Sequence, residues 1–156
     1  MFDDLLFARA LHVLAVVHWI GGVGFVTLVI LPLALSRPAG EGLDLFNLVE
    51  RRFAAQVRWS IPLAGAAGLW MTYRMDVWDR FVDPHFWWMP AMALLWIVFM
   101  AMVFVVEPLF EHKLEVLARK NPAGALKRLA LMHLILLGLL AATILGAVAG
   151  AHGYYF

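Results

Sequence analysis

Charged residues along this chain are few and grouped, and the stretches between them are long. No Asp, Glu, Lys or Arg occurs in four runs: 27 residues from Ala10 to Ser36, 15 from Trp59 to Tyr73, 23 from Pro84 to Val106 and 28 from Leu129 to Phe156. A bilayer core of ~30 Å is crossed by about 20 helical residues. Three of the runs meet that length outright. The Trp59–Tyr73 run is short, but Arg58 and Arg74 at its ends can snorkel their charges to the headgroups. The pattern therefore predicts an all-α, integral membrane four-helix bundle. Its helices are expected at about 7–35, 56–76, 84–110 and 128–153, in one transmembrane domain over 1–156. Near-continuous apolar runs leave no polar face for water, which argues against a soluble bundle. The first run far exceeds a signal h-region of roughly 7–15 residues and opens on Asp3 and Asp4, so it reads as a retained helix.

The connections carry patterns of their own. Leu43, Phe46, Leu48, Val49 and Phe53 lie among Asp44, Glu50, Arg51 and Arg52, which predicts an amphipathic surface helix over about 42–54. Glu111, Glu115 and Arg119 recur at four-residue spacing, as on a solvated extension of the third helix with a Glu-to-Arg pair. Asn121-Pro122 breaks that helix. Gly138, Ala142, Gly146 and Gly150 form a small-residue stripe that lets another backbone approach closely. Packing within the bundle is the favoured use of the stripe, and a dimer face is the alternative.

Composition agrees with the pattern. The chain is 64% hydrophobic and 15% charged, with mean hydropathy +0.85; soluble domains are roughly 45–50% apolar and about 25% charged. A net charge of +1 makes nucleic acid a poor partner. With no cysteine, disulfides and thiolate metal sites are excluded.

The placement of charge says more than its total. Arg37, Arg51, Arg52 and Arg58 fall after the first helix, and Lys113, Arg119, Lys120, Lys127 and Arg128 after the third; these are nine of the 12 basic residues. The positive-inside rule assigns both loops to the cytoplasm and both termini to the periplasmic side of a cell inner membrane. Trp70, Tyr73, Trp78, Trp87, Trp88, Tyr154 and Tyr155 then form an outer interfacial belt.

With that direction fixed, four of the six histidines belong to the outer half: His12, His18, His85 and His152, on three helices. His112 and His133 lie toward the cytoplasm. Imidazole is the commonest metal ligand and an axial ligand of haem iron. His12, His85 and His152 sit at matched depth near the outer edge. His18 lies deeper and shares a face with Gly22. Met71, Met75, Met89 and Met92 cluster at the outer ends of the second and third helices; thioethers select Cu(I). With His12, His85 and His152, Met71, Met75 and Met89 make an alternative copper set. Glu107, before Pro108, is an ionisable group at the inner end of the third helix. No Walker loop or GxGxxG is present.

Helix one supplies a resemblance. Leu11-His12, Trp19-Ile20-Gly21-Gly22 and the closing Pro32 resemble the first helix of the copper resistance protein D family, and the four-helix layout is similar too. That likeness implies copper uptake or handling. The early Leu-His is also similar to that of HemJ-type protoporphyrinogen oxidases, where it serves as a haem ligand, which implicates His12. Four-helix b-type cytochromes ligate haem from helices one and four, which implicates His12 and His152.

Three functions follow as expectations. The first is a b-type haem held by histidines from the set His12, His18, His85 and His152, passing electrons to or from a quinone or a membrane redox partner. The second is copper handling. The third is a ligand-free structural or assembly subunit in a homo- or hetero-oligomeric membrane complex.

Overall fold

In the computed structural model, which describes residues 3–154, four long helices run up, down, up and down with no strand among the described residues. We label them α1 (Asp4–Leu35), α2 (Ala39–Met75), α3 (Trp88–Lys120) and α4 (Pro122–Ala151). Three of them, α1, α3 and α4, are long and apolar enough to cross a membrane. Helix α2 reaches 37 residues only because the amphipathic segment expected over 42–54 is not separate. It continues without a break into the apolar part, since nothing between Arg52 and Arg58 punctuates the helix. Pro62 lies inside α2, where it removes one backbone donor.

The ends follow from local chemistry. Asp3 caps α1 by accepting the backbone N–H groups of Leu5 and Leu6. Asp76 ends α2 in the left-handed conformation, φ 51°. Asp83 accepts the His85 N–H, but the element it opens is a short 3₁₀ turn at Pro84–Phe86. Helix α3 begins only at Trp88, four residues later than the expected 84, and runs on to Lys120. Asn121 then caps α4 by accepting the Gly124 N–H at 2.9 Å.

Two helices widen into single π segments, Val26–Ile30 in α1 and Met102–Val106 in α3. Each lies just ahead of a proline, Pro32 and Pro108. A proline cannot donate to the carbonyl four residues back, and the wider turn absorbs the mismatch.

The core is built in two layers. Trp19, Val23, Val57, Ile61, Phe99, Val103 and Leu140 form one, with Trp19 edge-on to Phe99 at 4.8 Å between ring centroids. Val26, Leu31, Ala34, Leu43, Phe46 and Leu126 form the other, nearer the α1–α2 turn. Glycines set the close approaches. Gly146 and Gly150 of α4 hold the Trp87 and Trp88 rings, and Gly65 of α2 holds Trp96. The small-residue stripe of α4 is thus used inside the bundle at its far end, while Gly138 meets nothing within 4 Å. Trp88, expected in the interfacial belt, is 6% exposed. Trp70, Tyr73, Trp78 and Tyr154 are exposed, and Tyr155 lies outside the described residues.

Candidate functional site

Asp4 and Arg74 pair at 2.8 Å, and Trp88 meets Gly150, so both described ends of the chain share one end of the bundle. His12 lies inward from that end, on the face of α1 that packs against α2. The residues flanking it on this face, Ala8, Ala15 and Trp19, are buried. Its ring rests on Gly68, where an added Cβ would sit 3.2 Å from the imidazole Cε1. Its Nδ1–H donates to the Ala64 carbonyl of α2 at 2.7 Å. Any side chain larger than hydrogen at position 68 would crowd this seat, so Gly68 and the α2 backbone together fix the ring. A histidine anchored through Nδ1–H carries its lone pair on Nε2, the arrangement in which imidazole serves as a ligand.

The other histidines are held differently. His18 is exposed and donates from Nε2 to Gln56 Oε1 of α2 at 3.3 Å, with Phe53 alongside. Gly22, one turn on, receives the Phe53 ring, so the face shared by His18 and Gly22 is an interhelical contact. His85 lies in the loop before α3, its Nδ1 2.8 Å from Asp83 Oδ1. Two hydrogen bonds from His85, first its backbone N–H and then its ring, hold the Asp83 carboxyl below the usual range. His152 caps α4 and donates from Nδ1 to its own Val148 carbonyl at 2.8 Å. His133 donates to Leu129 and meets Phe46 edge-on, inside the second core layer.

Depth follows from the contacts. Trp19 meets Phe99, so His12 is level with the first turns of α3, near Met92, while His152 and His85 lie beyond Trp88. At 1.5 Å per residue His152 stands on the order of 9 Å outside His12 along the axis. Among the described residues, no three His, Cys, Asp or Glu side chains gather as a set able to hold a metal ion. Met71, Met75 and Met89 stand at the same end of the bundle as His85, with Met75 exposed. A shallow groove of about 480 Å³ along α1 is lined by residues such as Leu6, Arg9, Val13 and Val17. By helical phase it lies on a different face from His12.

At the opposite end, Glu107 pairs with Arg58 of α2 at 3.0 Å. It is the first rung of a ladder between α2 and α3. Arg51 reaches Glu111 at 3.1 Å and Glu115 at 3.0 Å, and Asp44 meets Arg119 at 3.1 Å. The expected Glu115–Arg119 pair is present at 2.9 Å. Asp44, Arg51 and Arg58 stand seven residues apart, and Glu107, Glu111, Glu115 and Arg119 four apart. That matched spacing is visible in the sequence, but pairing α2 with α3 needs the fold. Among the described residues, two buried side-chain atoms lack a hydrogen-bond partner, Trp19 Nε1 and Ser60 Oγ, neither a site expected from the sequence.

No protein-family model matches the chain, and no curated protein or solved structure does so.

Proposed function

We propose that the chain is an inner-membrane protein, termini toward the periplasm, that holds a b-type haem through His12 and acts in electron transfer. The supporting observation is the seat of His12. Its Nδ1–H is committed to the Ala64 carbonyl and its ring is pressed on Gly68, which leaves Nε2 as the ligating atom. That donor suits haem iron. His18, His85 and His152 are the candidates that would supply a second ligand. Bound haem would supply one-electron chemistry toward a quinone or a membrane partner. The chain's own part is orientation: the α2 backbone sets the tautomer and the plane of the ring, and the surrounding apolar helices keep water away.

The membrane placement rests on α1, α3 and α4, each long and apolar enough to span. It rests also on the nine basic residues grouped toward the α1–α2 and α3–α4 turns.

The test is a visible spectrum with metal analysis of protein purified in detergent after expression with ample haem and copper. A reduced Soret band and sharp alpha band, lost in His12→Ala while that variant still inserts in the membrane, is the expected result. Full haem retained by His12→Ala would remove His12 from the site. Stoichiometric copper without colour would establish copper handling instead, through His12, His85, His152, Met71, Met75 and Met89. Neither ligand would leave a structural or assembly subunit.

A further inference from the structure

One polar contact between α1 and α2 is not enclosed by the bundle. His18 of α1 and Gln56 of α2 meet at 3.3 Å, and both are exposed. His18 lies eight residues inside the uncharged run that opens at Ala10, which is ~12 Å along the helix. It belongs to the stripe Leu14, His18, Gly21 and Phe25, whose spacing of four, three and four keeps it on one face of α1. All four residues are exposed. The packed face, with Ala8, Ala15, Trp19 and Val23, lies on another side of the helix. In the bilayer proposed above, a polar pair at that depth would face hydrocarbon, which satisfies no hydrogen bond.

The contact uses only part of what the pair can bond. With the ring Nε2–H donating to Gln56 Oε1, Nδ1 keeps its lone pair and the Gln56 amide keeps its N–H donors. With ring tautomer and amide reversed, Nδ1–H is the donor left over and Oε1 the acceptor. Either arrangement leaves one donor and one acceptor, and no other group among the described residues takes them. A surface that carries one of each is complementary to itself. A two-fold axis along the bilayer normal brings the pairs of two copies to the same depth, facing each other. Gln56 of each copy then bonds His18 of the other, and the four side chains close a ring of hydrogen bonds. Gly21, one turn from His18, makes the approach possible: nothing lies within 4 Å of its Cβ position, so a second backbone can come close there. A lipid tail on the same face offers neither donor nor acceptor.

We propose that the face made by Leu14, His18, Gly21 and Phe25, with Gln56 beside it, is the contact between two copies of this chain in the membrane. His18 and Gln56 are its polar centre. The proposal rests on α1 crossing the bilayer and does not depend on haem or copper. Committing His18 to the contact leaves His85 and His152 as the candidates for a second ligand. The contact lies on α1 and not on the glycine stripe of α4, whose far end is filled by Trp87 and Trp88 of the same chain.

The chain has no cysteine, so a single introduced cysteine reports alone. In membranes holding the full chain, a short bis-maleimide should link two copies of Gly21→Cys. It should not link Leu145→Cys, an exposed position on α4. Light scattering after gel filtration in mild detergent should give the parent a protein mass of about two chains. Gln56→Leu removes the amide, and Gly21→Leu fills the approach without meeting another part of its own bundle. Each should elute with the mass of one chain and an unchanged helical circular dichroism spectrum. A parent that is one chain in detergent and unlinked at position 21 in the membrane would overturn the contact, whether lipid or another protein covers the face. Linking through Leu145→Cys but not through Gly21→Cys would move the contact to α4. Gln56→Leu that stays paired while Gly21→Leu does not would overturn the role of the polar ring. A chain recovered without detergent from the soluble fraction would overturn the membrane reading itself, a result distinct from a single chain extracted from membranes.

Discussion

Alanine substitutions along the glycine stripe of α4 should split by sign. At Gly150 an added Cβ would lie 1.9 Å from Cη2 and 2.1 Å from Cζ2 of Trp88. At Gly146 it would lie 2.4 Å from Cζ2 of Trp87. Those distances are far inside van der Waals contact, and Trp88 is 6% exposed, so its ring has little free space to enter. Overpacking of this kind costs about 1–3 kcal/mol. Replacing a helical glycine by alanine returns about 1 kcal/mol through backbone entropy. The net expectation for Gly150→Ala is a loss of about 0–2 kcal/mol, with Gly146→Ala similar. At Gly138 nothing lies within 4 Å, so only the second effect operates and Gly138→Ala gains about 0.5–1 kcal/mol. Reversible unfolding in mixed micelles of mild detergent and SDS, followed by circular dichroism, gives the three differences on one scale. If Gly138→Ala costs as much as Gly150→Ala, the open part of the stripe is covered by another molecule. The reading of the stripe as packing inside a single bundle then fails.

Two further outcomes follow from the same structure. Ile61 is fully buried where α2 meets the first core layer, so Ile61→Ala should cost about 2–5 kcal/mol in the same assay; a loss below about 1 kcal/mol would show a looser core than described. The lowered Asp83 carboxyl contributes stability that is present at neutral pH and lost as the pH falls through its folded value. Unfolding curves of Asp83→Ala and the parent should therefore converge in acid and separate above it, and curves that stay parallel across the titration would refute the assignment.

Much of the helical layout was legible from charge alone. A gap of more than twenty uncharged residues admits few structures other than a long apolar helix, and α1, α3 and α4 appear where those gaps fall. Boundaries were less legible. Asp83 and Pro84 carry the signals of a helix start, but Trp87 and Trp88 must turn inward onto Gly146 and Gly150, and α3 starts only there. That choice is made by a partner helix about sixty residues away in sequence. The same holds for His12. Its residue type and depth could be read from the chain, whereas its anchor on Ala64 depends on the α1–α2 register. Conversely, the seven-residue spacing of Asp44, Arg51 and Arg58 was in plain view. It reads as a solvated face until the four-residue rhythm of α3 is laid against it.

The π turn at Met102–Val106 also fixes the chain's tolerance to changes in length. A π turn takes up one residue more than an α turn, so the helix beyond it keeps its phase despite the extra residue. Deleting a single residue there, such as Val105, would close the turn to an ordinary α-helix and leave the ladder carboxylates facing α2. The same deletion between Glu107 and Glu111, in regular helix, has no spare residue to absorb it and would rotate everything beyond by about 100°. Glu111 and Glu115 would then leave the α2 side, and Arg51 would lose both partners. The stretch between Ala101 and Pro108 is thus where α3 can shorten by one residue and keep its ladder.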